Sequence, residues 1–276
     1  GQPRPPHSAE PAIAASLARH FAASDRIGGT PAFFTEFNRK RPDPTLWQGL
    51  RFATTPVVHA ADDASVMETL EALPHVMASA SALAGGLGLS VGPVGIGARL
   101  NPYGTGPHDN DPQARIDMAA QDPRQRGLFA AAWTVGYLAQ IVAFAPRQFA
   151  FGAAVGPFGL ISTRQDHPRD LWDGLPEGAL YPLYHVARWI AAASGCPVLL
   201  AEMQGGVARI VWQNGDHRQA MIANLTPDAV NMPSLPLTNP QVSLLDAANP
   251  LGPITTPHPA MLDAYAVAFL TEGTAT

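Results

Sequence analysis

The chain has 276 residues, of which 46% are hydrophobic and 14% are charged, so it is long and apolar enough to fold around one or two buried cores. Its net charge of -5 excludes the basic balance typical of nucleic-acid-binding proteins and gives no electrostatic reason for binding an anionic membrane. Cys196 is its single cysteine, which excludes a disulfide within these residues and is compatible with the cytoplasmic location that we predict.

The first two thirds of the chain alternate predicted strands with predicted helices. Apolar spacing and caps predict helices at 10–24, 64–83, 123–143 and 169–194, and short apolar runs predict strands at 31–37, 50–59, 89–96 and 148–154. This alternation is typical of parallel strands joined by crossover helices. We therefore expect the four strands to lie side by side in chain order.

One segment in this part, residues 127–146, carries no charge and approaches the length of a membrane span. It is dominated by alanine and glycine, contains Gln140, and is followed at once by a predicted strand. These features favour a buried barrel helix over a membrane segment.

The pattern changes after Ser194. Short strands are predicted at 198–203, 207–213, 219–225, 242–245 and 264–270, separated by turn residues such as Gly205-Gly206 and Asn214-Gly215. Strands joined by tight turns are typical of an antiparallel sandwich. We therefore predict two domains, a partial barrel with the catalytic face at 1–195 and a C-terminal β-sandwich at 196–276.

Four strand–helix units followed by a sandwich predict an α/β fold: the C-terminal half of a (β/α)₈ TIM barrel with a small antiparallel β-sandwich domain. A closed barrel needs eight strands, so we expect either a missing N-terminal half or a second copy of the chain to complete it. A flavodoxin-like open sheet is the alternative, although no phosphate-binding glycine loop supports it.

Polar residues at the ends of parallel strands carry functional weight, because those ends and the loops after them face the ligand. The first predicted strand ends at Glu36, Asn38 and Arg39. Neighbouring phenylalanines would desolvate Glu36, as general acid/base work requires. The alternative is that Glu36 forms an ion pair with Arg39 or Arg41.

The second predicted strand ends at His59, which is a candidate base, with Asp62 to orient it. The alternative is a core histidine followed by a helix N-cap, which we assign to Asp63. The third strand leads to Arg99, a candidate oxyanion-stabilising residue or else part of a salt bridge at the barrel rim, and to Asn101.

The sequence has no nucleophile elbow, P-loop, HExxH or CxxC motif. It therefore predicts an acid/base site that uses water, with no cofactor and no metal.

Several of these motifs, taken in order, resemble the D-apionate lactonases, which act in the catabolism of the branched pentose apiose. The segments that carry the resemblance are 34–39, 56–63 with Glu68, 92–94 with Arg99 and Asn101, and 122–125 with 132–134. The resemblance covers roughly residues 25–195 and implies a TIM barrel related to those of glycosidases, with flanking β-domains. It also implies an acidic residue near the end of the last strand, where residues 151–154 have none.

The leading hypothesis is hydrolysis of a sugar lactone. Glu36 or His59 would activate water, while Arg99 or Arg39 stabilises the oxyanion and Asn38, Asp62 and Asn101 help to hold the substrate. Glycoside hydrolysis ranks lower because it usually needs two facing carboxylates. The third hypothesis is a non-catalytic carbohydrate-binding barrel, suggested by Ala153 where an acidic residue is expected.

Overall fold

The computed structural model describes residues 11–111, 114–164 and 174–273. By its internal contacts the chain forms two compact units, which are described separately: unit 1 (1–122 and 144–152) and unit 2 (123–143 and 153–276). Unit 1 contains α1 (Pro11–His20), β1 (Ile27–Phe33), α2 (Phe34–Lys40), β2 (Gly49–Thr54), α3 (Asp63–Ala84), β3 (Gly88–Val94) and β4 (Gln148–Phe151). Unit 2 contains α4 (Leu128–Ile141), α5 (Pro182–Ala192), β5 (Val198–Gln204), β6 (Val207–Asn214), β7 (His217–Asn224), β8 (Val230–Asn231), β9 (Gln241–Leu245), β10 (Ile254–Thr256), β11 (Met261–Leu262) and β12 (Val267–Thr271).

The four strands of unit 1 form one parallel sheet in the order β1-β2-β3-β4, which confirms the predicted adjacency. The side chains of Phe52 and Phe37 are fully buried, with ring centroids 5.5 Å apart. Phe52 also meets Phe34 at 5.7 Å. Helix α2 therefore covers the face of the sheet to which Phe52 points.

The predicted strand at 31–37 is wrong in its second half, because β1 ends at Phe33 and α2 begins at Phe34. Phe34 and Phe37 are three residues apart, which places both rings on one side of a helix and lets both reach Phe52. In a strand the two rings would point to opposite faces. Packing against β2 thus explains the helix. Glu36 consequently lies on this helix and not on a strand.

Helix α3 confirms the helix predicted at 64–83 but corrects its cap. Its N-cap is Asp62, whose carboxylate accepts a hydrogen bond from the backbone N–H of Ser65 at 2.9 Å. Asp63, to which we assigned the cap, is instead the first helical residue. The helix ends at Ala84, and its C-cap is Gly85, whose φ of 60° is a left-handed conformation that glycine adopts without steric cost.

Two further boundaries differ from the prediction. The helix predicted at 169–194 begins only at Pro182, because the described residues just before it form turns, and proline is favoured in the first helical turn; residues 165–173 lie outside the described part. The predicted helix at 123–143 consists of a 3₁₀ turn, Pro123–Arg126, followed by α4. Gly127 is the N-cap of α4.

The strands of unit 2 form a six-stranded antiparallel sheet in the order β10-β9-β12-β7-β6-β5 and a separate pair, β11-β8. All five predicted strands are confirmed as strands of the larger sheet. The last of them starts at Val267 and not at 264, because Tyr265 has a φ of 56°, which no strand residue adopts. Three short strands, β8, β10 and β11, were not predicted.

Both faces of the larger sheet are covered. On one face Val207 and Val211 of β6 belong to a buried apolar cluster that also includes Leu262 of the smaller sheet, so the two sheets form a sandwich. On the other face Trp212 of β6 packs edge-on against Trp189 of α5 at 5.8 Å. Successive side chains of β6 thus point to opposite faces of the sheet and contribute to the packing on both.

Helix α4 packs against α5 and against β5, β6 and β7, and most of its side chains are buried, including Trp133 and Tyr137. The prediction that the uncharged segment is a buried helix is confirmed. In the part of the chain that the structure describes, no helix combines the length and the apolar character that a membrane crossing needs.

Candidate functional site

The loops that follow the first three parallel strands are held together by a small apolar cluster. Its members are Phe33 at the end of β1, Val58 after β2, and Ala98 and Met118 in the long loop after β3. Phe33, Ala98 and Met118 are each less than a tenth exposed. The cluster anchors the segments that carry the predicted site residues to the same end of the sheet.

Hydrogen bonds fix the same loops. The backbone N–H of Met118 donates to the carbonyl of Val57 at 2.5 Å, and that of Ala98 donates to the carbonyl of Ala119 at 2.7 Å. The hydroxyl of Thr55 donates to the carbonyl of Ile96 at 2.8 Å. Segment 118–119 therefore connects the loop after β2 to the start of the loop after β3.

Glu36 is 6% exposed, and its Oε1 accepts a hydrogen bond from Nη1 of Arg39 at 2.8 Å. The ion pair with Arg39, which we kept as the alternative for Glu36, is therefore present. That hydrogen bond raises the pKa of Arg39. The Arg39 side chain is 60% exposed, so its guanidinium also faces solvent.

Tyr103 completes this group. The guanidinium carbon of Arg39 lies 5.8 Å from the centroid of the Tyr103 ring, within the range of a cation–π contact. Oδ1 of Asn101 accepts a hydrogen bond from the backbone N–H of Tyr103 at 2.9 Å. We call Glu36, Arg39, Asn101 and Tyr103 the Arg39 cluster. We did not predict a role for Tyr103; its place in a polar loop after a parallel strand was the signal available.

A second group of polar side chains lines an open groove of about 550 Å³, which we call the His59 groove. His59 and Asp62 lie on it together with Asp63, Arg115 and Asp117. His59 is exposed, so the alternative of a core histidine is wrong. Nη1 of Arg115 donates to Oδ1 of Asp63 at 2.7 Å.

The carboxylate of Asp62 serves as the N-cap of α3. It accepts the hydrogen bond from Ser65, and the hydrogen-bonding to Ser65 lowers the pKa of Asp62. No hydrogen bond from Asp62 to His59 occurs among the described contacts. The expectation that Asp62 orients His59 stays a prediction.

Arg99 and Asn38 each take part in a further hydrogen bond. Nη2 of Arg99 donates to the backbone carbonyl of Gly152, directly after β4, at 2.7 Å. Arg99 thereby links the loop after β3 to the end of β4. Asn38 is exposed on α2, and its backbone carbonyl accepts a hydrogen bond from Nε of Arg41 at 3.1 Å.

The structure thus brings Glu36, Arg39 and Asn101 together in one cluster and His59 and Asp62 together in one groove. The catalytic and binding roles that we assigned to them stay predictions. Among the described residues, no three His, Cys, Asp or Glu side chains are grouped as a metal site would require.

Solved structures with a similar fold include two carbohydrate-active enzymes. A family 51 α-L-arabinofuranosidase from Bifidobacterium longum superposes with a TM-score of 0.57 at 11% identity, over 94% of this chain and 61% of that one. A GH30 endoxylanase from Clostridium papyrosolvens gives 0.50 at 9% identity, over 96% and 61%. At such identities the likeness shows the fold alone. It confirms the predicted fold class, a (β/α)₈-barrel half followed by a small antiparallel β-sandwich.

Sequence comparison is more specific. A D-apionate lactonase from Brucella anthropi is 41% identical over 133 residues, a segment that is 48% of this chain and 22% of that enzyme. The chain therefore aligns with about a fifth of the length of this relative. The sequence profile of the D-apionate lactonase TIM barrel domain matches residues 1–195. Since that match covers more than half of the chain, the protein belongs to the D-apionate lactonase family.

Proposed function

We propose that this chain takes part in the hydrolysis of a sugar lactone of the D-apionolactone type. The observation that carries the proposal is the exposed imidazole of His59, on an open groove formed by loops that follow parallel strands, in a chain of the lactonase family. Water would add to the lactone carbonyl while a side-chain base takes its proton. The ring C–O bond would then break, and the leaving alkoxide would take up a proton to give the hydroxy acid.

His59 is the better placed of the two candidate bases. A base must reach a water molecule that is itself in contact with the substrate. The side chain of His59 is exposed, whereas the Glu36 carboxylate is buried and bound to Arg39. The Oε1 atom of Glu36 already accepts a hydrogen bond from Arg39, which leaves this carboxylate less open to a catalytic water. Glu36 would then act through Arg39 by holding the guanidinium in place.

The remaining predicted residues would bind the substrate. Arg39 and Arg99 would stabilise the developing oxyanion, and Asn38 and Asn101 would contact sugar hydroxyls. Glycoside hydrolysis has less support, because it needs a pair of facing carboxylates, and Asp62, the other carboxylate among the predicted site residues, caps α3.

We also propose the wider organisation that the sequence indicates: a barrel domain at 1–195, a β-sandwich domain at 196–276, a cytoplasmic location, and completion of the barrel by further strands or by a second copy. The family match over residues 1–195 supports the first of these boundaries.

The test is the turnover of sugar lactones by His59→Gln, assayed beside aryl glycosides. Glutamine keeps much of the shape of histidine but removes the proton acceptor, so turnover should fall by about 10²–10⁴-fold. His75→Gln is the matched control, because His75 is exposed on α3. Full lactone turnover in His59→Gln together with a large loss in Glu36→Gln would move the base to Glu36. Cleavage of glycosides alone would refute the lactonase proposal.

A further inference from the structure

Tyr103 is a large aromatic side chain that stays 39% exposed in the loop after β3. Its ring meets Arg39, which lies on α2, directly after β1. Strands β1 and β3 are not neighbours, because β2 lies between them, and three adjacent strands place the outer two about 10 Å apart. The contact between Arg39 and Tyr103 therefore bridges the end of β2, the strand whose loop carries His59.

The loop around Tyr103 is built to hold the ring in this position. The side chain of Asn101 accepts the backbone N–H of Tyr103 in the manner of an Asx turn. A Cβ atom at Gly104 would come within 2.9 Å of Nδ2 of Asn101, so a larger residue there would displace the asparagine. The hydrogen bond to Asn101 thus restrains the backbone at Tyr103. Such fixation reduces the entropy lost when a ligand binds.

The chemistry of the pair suits a sugar. A tyrosine ring offers a rigid apolar face and a polar hydroxyl at its edge. A sugar ring likewise has apolar C–H faces and hydroxyl groups at its edge. Arg39 adds guanidinium donors beyond those that meet Glu36 and Tyr103, and its side chain is well exposed. A ligand lying against these two groups would meet both an apolar surface and hydrogen-bond donors, the usual composition of a small-molecule site.

We infer that Tyr103 is a substrate-binding residue that packs against the sugar ring of the lactone, and that with Arg39 it selects hydroxylated lactones over plain ones. This inference rests on the proposed function for its substrate class, but not on the identity of the catalytic base. It assigns to Tyr103 a role in binding and none in proton transfer.

The experiment compares two lactones with the same five-membered ring, erythronolactone, which carries hydroxyls, and γ-butyrolactone, which does not. Tyr103→Ala should raise KM for erythronolactone by roughly three- to tenfold, a loss typical of one aromatic contact, and leave kcat within about twofold. KM for γ-butyrolactone should rise less, because this lactone has C–H groups for the aromatic face but no hydroxyls for Arg39 and the Tyr103 hydroxyl. Tyr103→Phe keeps the ring but removes the hydroxyl, so it should raise KM for erythronolactone by part of the Tyr103→Ala loss and change KM for γ-butyrolactone less. Phe21→Ala, which removes another exposed aromatic residue of unit 1, is the control.

An equal effect on both lactones, or no effect on either, would overturn the inference, because neither result shows selection by the sugar hydroxyls. Calorimetric binding of erythronolactone separates this inference from the proposed function. If the wild type binds the lactone without turnover, and Tyr103→Ala binds it more weakly than the wild type does, the lactonase proposal is refuted and the role of Tyr103 is supported. A wild type that neither binds nor hydrolyses erythronolactone would overturn both.

Discussion

In unit 1 a long loop, residues 95–122, follows β3, whereas in unit 2 the hairpins of β5, β6 and β7 turn within the dipeptides Gly205-Gly206 and Gly215-Asp216. A two-residue turn fixes its own geometry through backbone conformation. A long loop must be fixed by side chains and by an apolar anchor such as Met118. The long loop of unit 1 therefore carries side chains, such as Tyr103, that stay exposed beside the anchored ones.

Two asparagines, one in each unit, differ in the same way. Asn224 in unit 2 is fully buried, and its Nδ2 donates to the carbonyls of Asp228, Leu262 and Asp263 at 2.7, 3.2 and 2.9 Å. Its Oδ1 accepts from the backbone and the hydroxyl of Thr226. Asn101 in unit 1 is only partly buried and fixes one turn beside Tyr103. The same residue type stabilises the buried core in unit 2 and a surface turn in unit 1.

The largest effect on stability should come from removing a core ring in each unit. Phe52→Ala and Phe269→Ala should each lower the free energy of unfolding by about 3–5 kcal/mol, because each ring is buried and packed against other aromatic rings. Hydrogen exchange should report the loss mainly in β1–β3 for Phe52→Ala and in β7, β9 and β12 for Phe269→Ala. Equal loss of protection in both sheets from either variant would show that the units do not unfold separately.

A smaller effect separates the two asparagines. Asn224→Ala leaves several buried carbonyl and N–H groups without their partner and should cost about 1–3 kcal/mol of unfolding free energy in a denaturant titration. Asn101→Ala should cost less than about 1 kcal/mol, because its partners can reach water. A loss of stability in Asn101→Ala as large as that in Asn224→Ala would contradict the division between core and loop.

The smallest effect is a pH dependence confined to unit 2. Burial on α5 lowers the pKa of His185, the charge of Arg188 lowers it further, and the hydrogen bond to the carbonyl of Leu251 at 2.9 Å opposes this shift. A histidine whose pKa is lowered by folding takes up a proton more readily when unfolded, so its contribution to stability is lost as the pH falls below about 6.5.

His185→Gln removes this titration and retains a donor for the Leu251 carbonyl. Melting temperatures recorded from pH 8 to pH 5 should therefore fall less in the variant than in the wild type. The difference between the two proteins isolates His185 from the other groups that titrate in this range. Parallel curves would show that burial of His185 does not couple to folding.

The sequence predicts the strands of both units well, because apolar runs and turn residues report local structure. The prediction fails where tertiary packing, and not the local sequence, determines the secondary structure. Phe34 and Phe37 read as strand residues, since aromatic runs are common in strands, and only Phe52 of the neighbouring strand makes their helical spacing decisive. The start of α5 at Pro182 is signalled in the sequence, because Gly174, Pro176 and Gly178 just upstream are turn residues, and the prediction overlooks them.

The candidate site shows the same limit. His59, Arg39 and Asn101 could be chosen because polar residues after parallel strands point to a site. The contact between Arg39 and Tyr103 joins residues 64 positions apart in the sequence, across an intervening strand, and no local pattern encodes it. The N-cap of α3 could not be assigned from the sequence for a different reason. Asp62 and Asp63 carry the same side chain, and only the backbone geometry shows which of them is the N-cap.

The packing of helix α4 limits how this chain could be divided into exchangeable parts. It lies within the stretch that matches the barrel profile, yet it packs against β5, β6 and β7 of the antiparallel sheet. A recombinant exchange at residue 195 would transfer these strands without the helix that shields them, and it would also separate Trp212 from Trp189. A functional chimaera would need a host whose own helices present a matching apolar surface. The strands and the two helices should accordingly be inherited together.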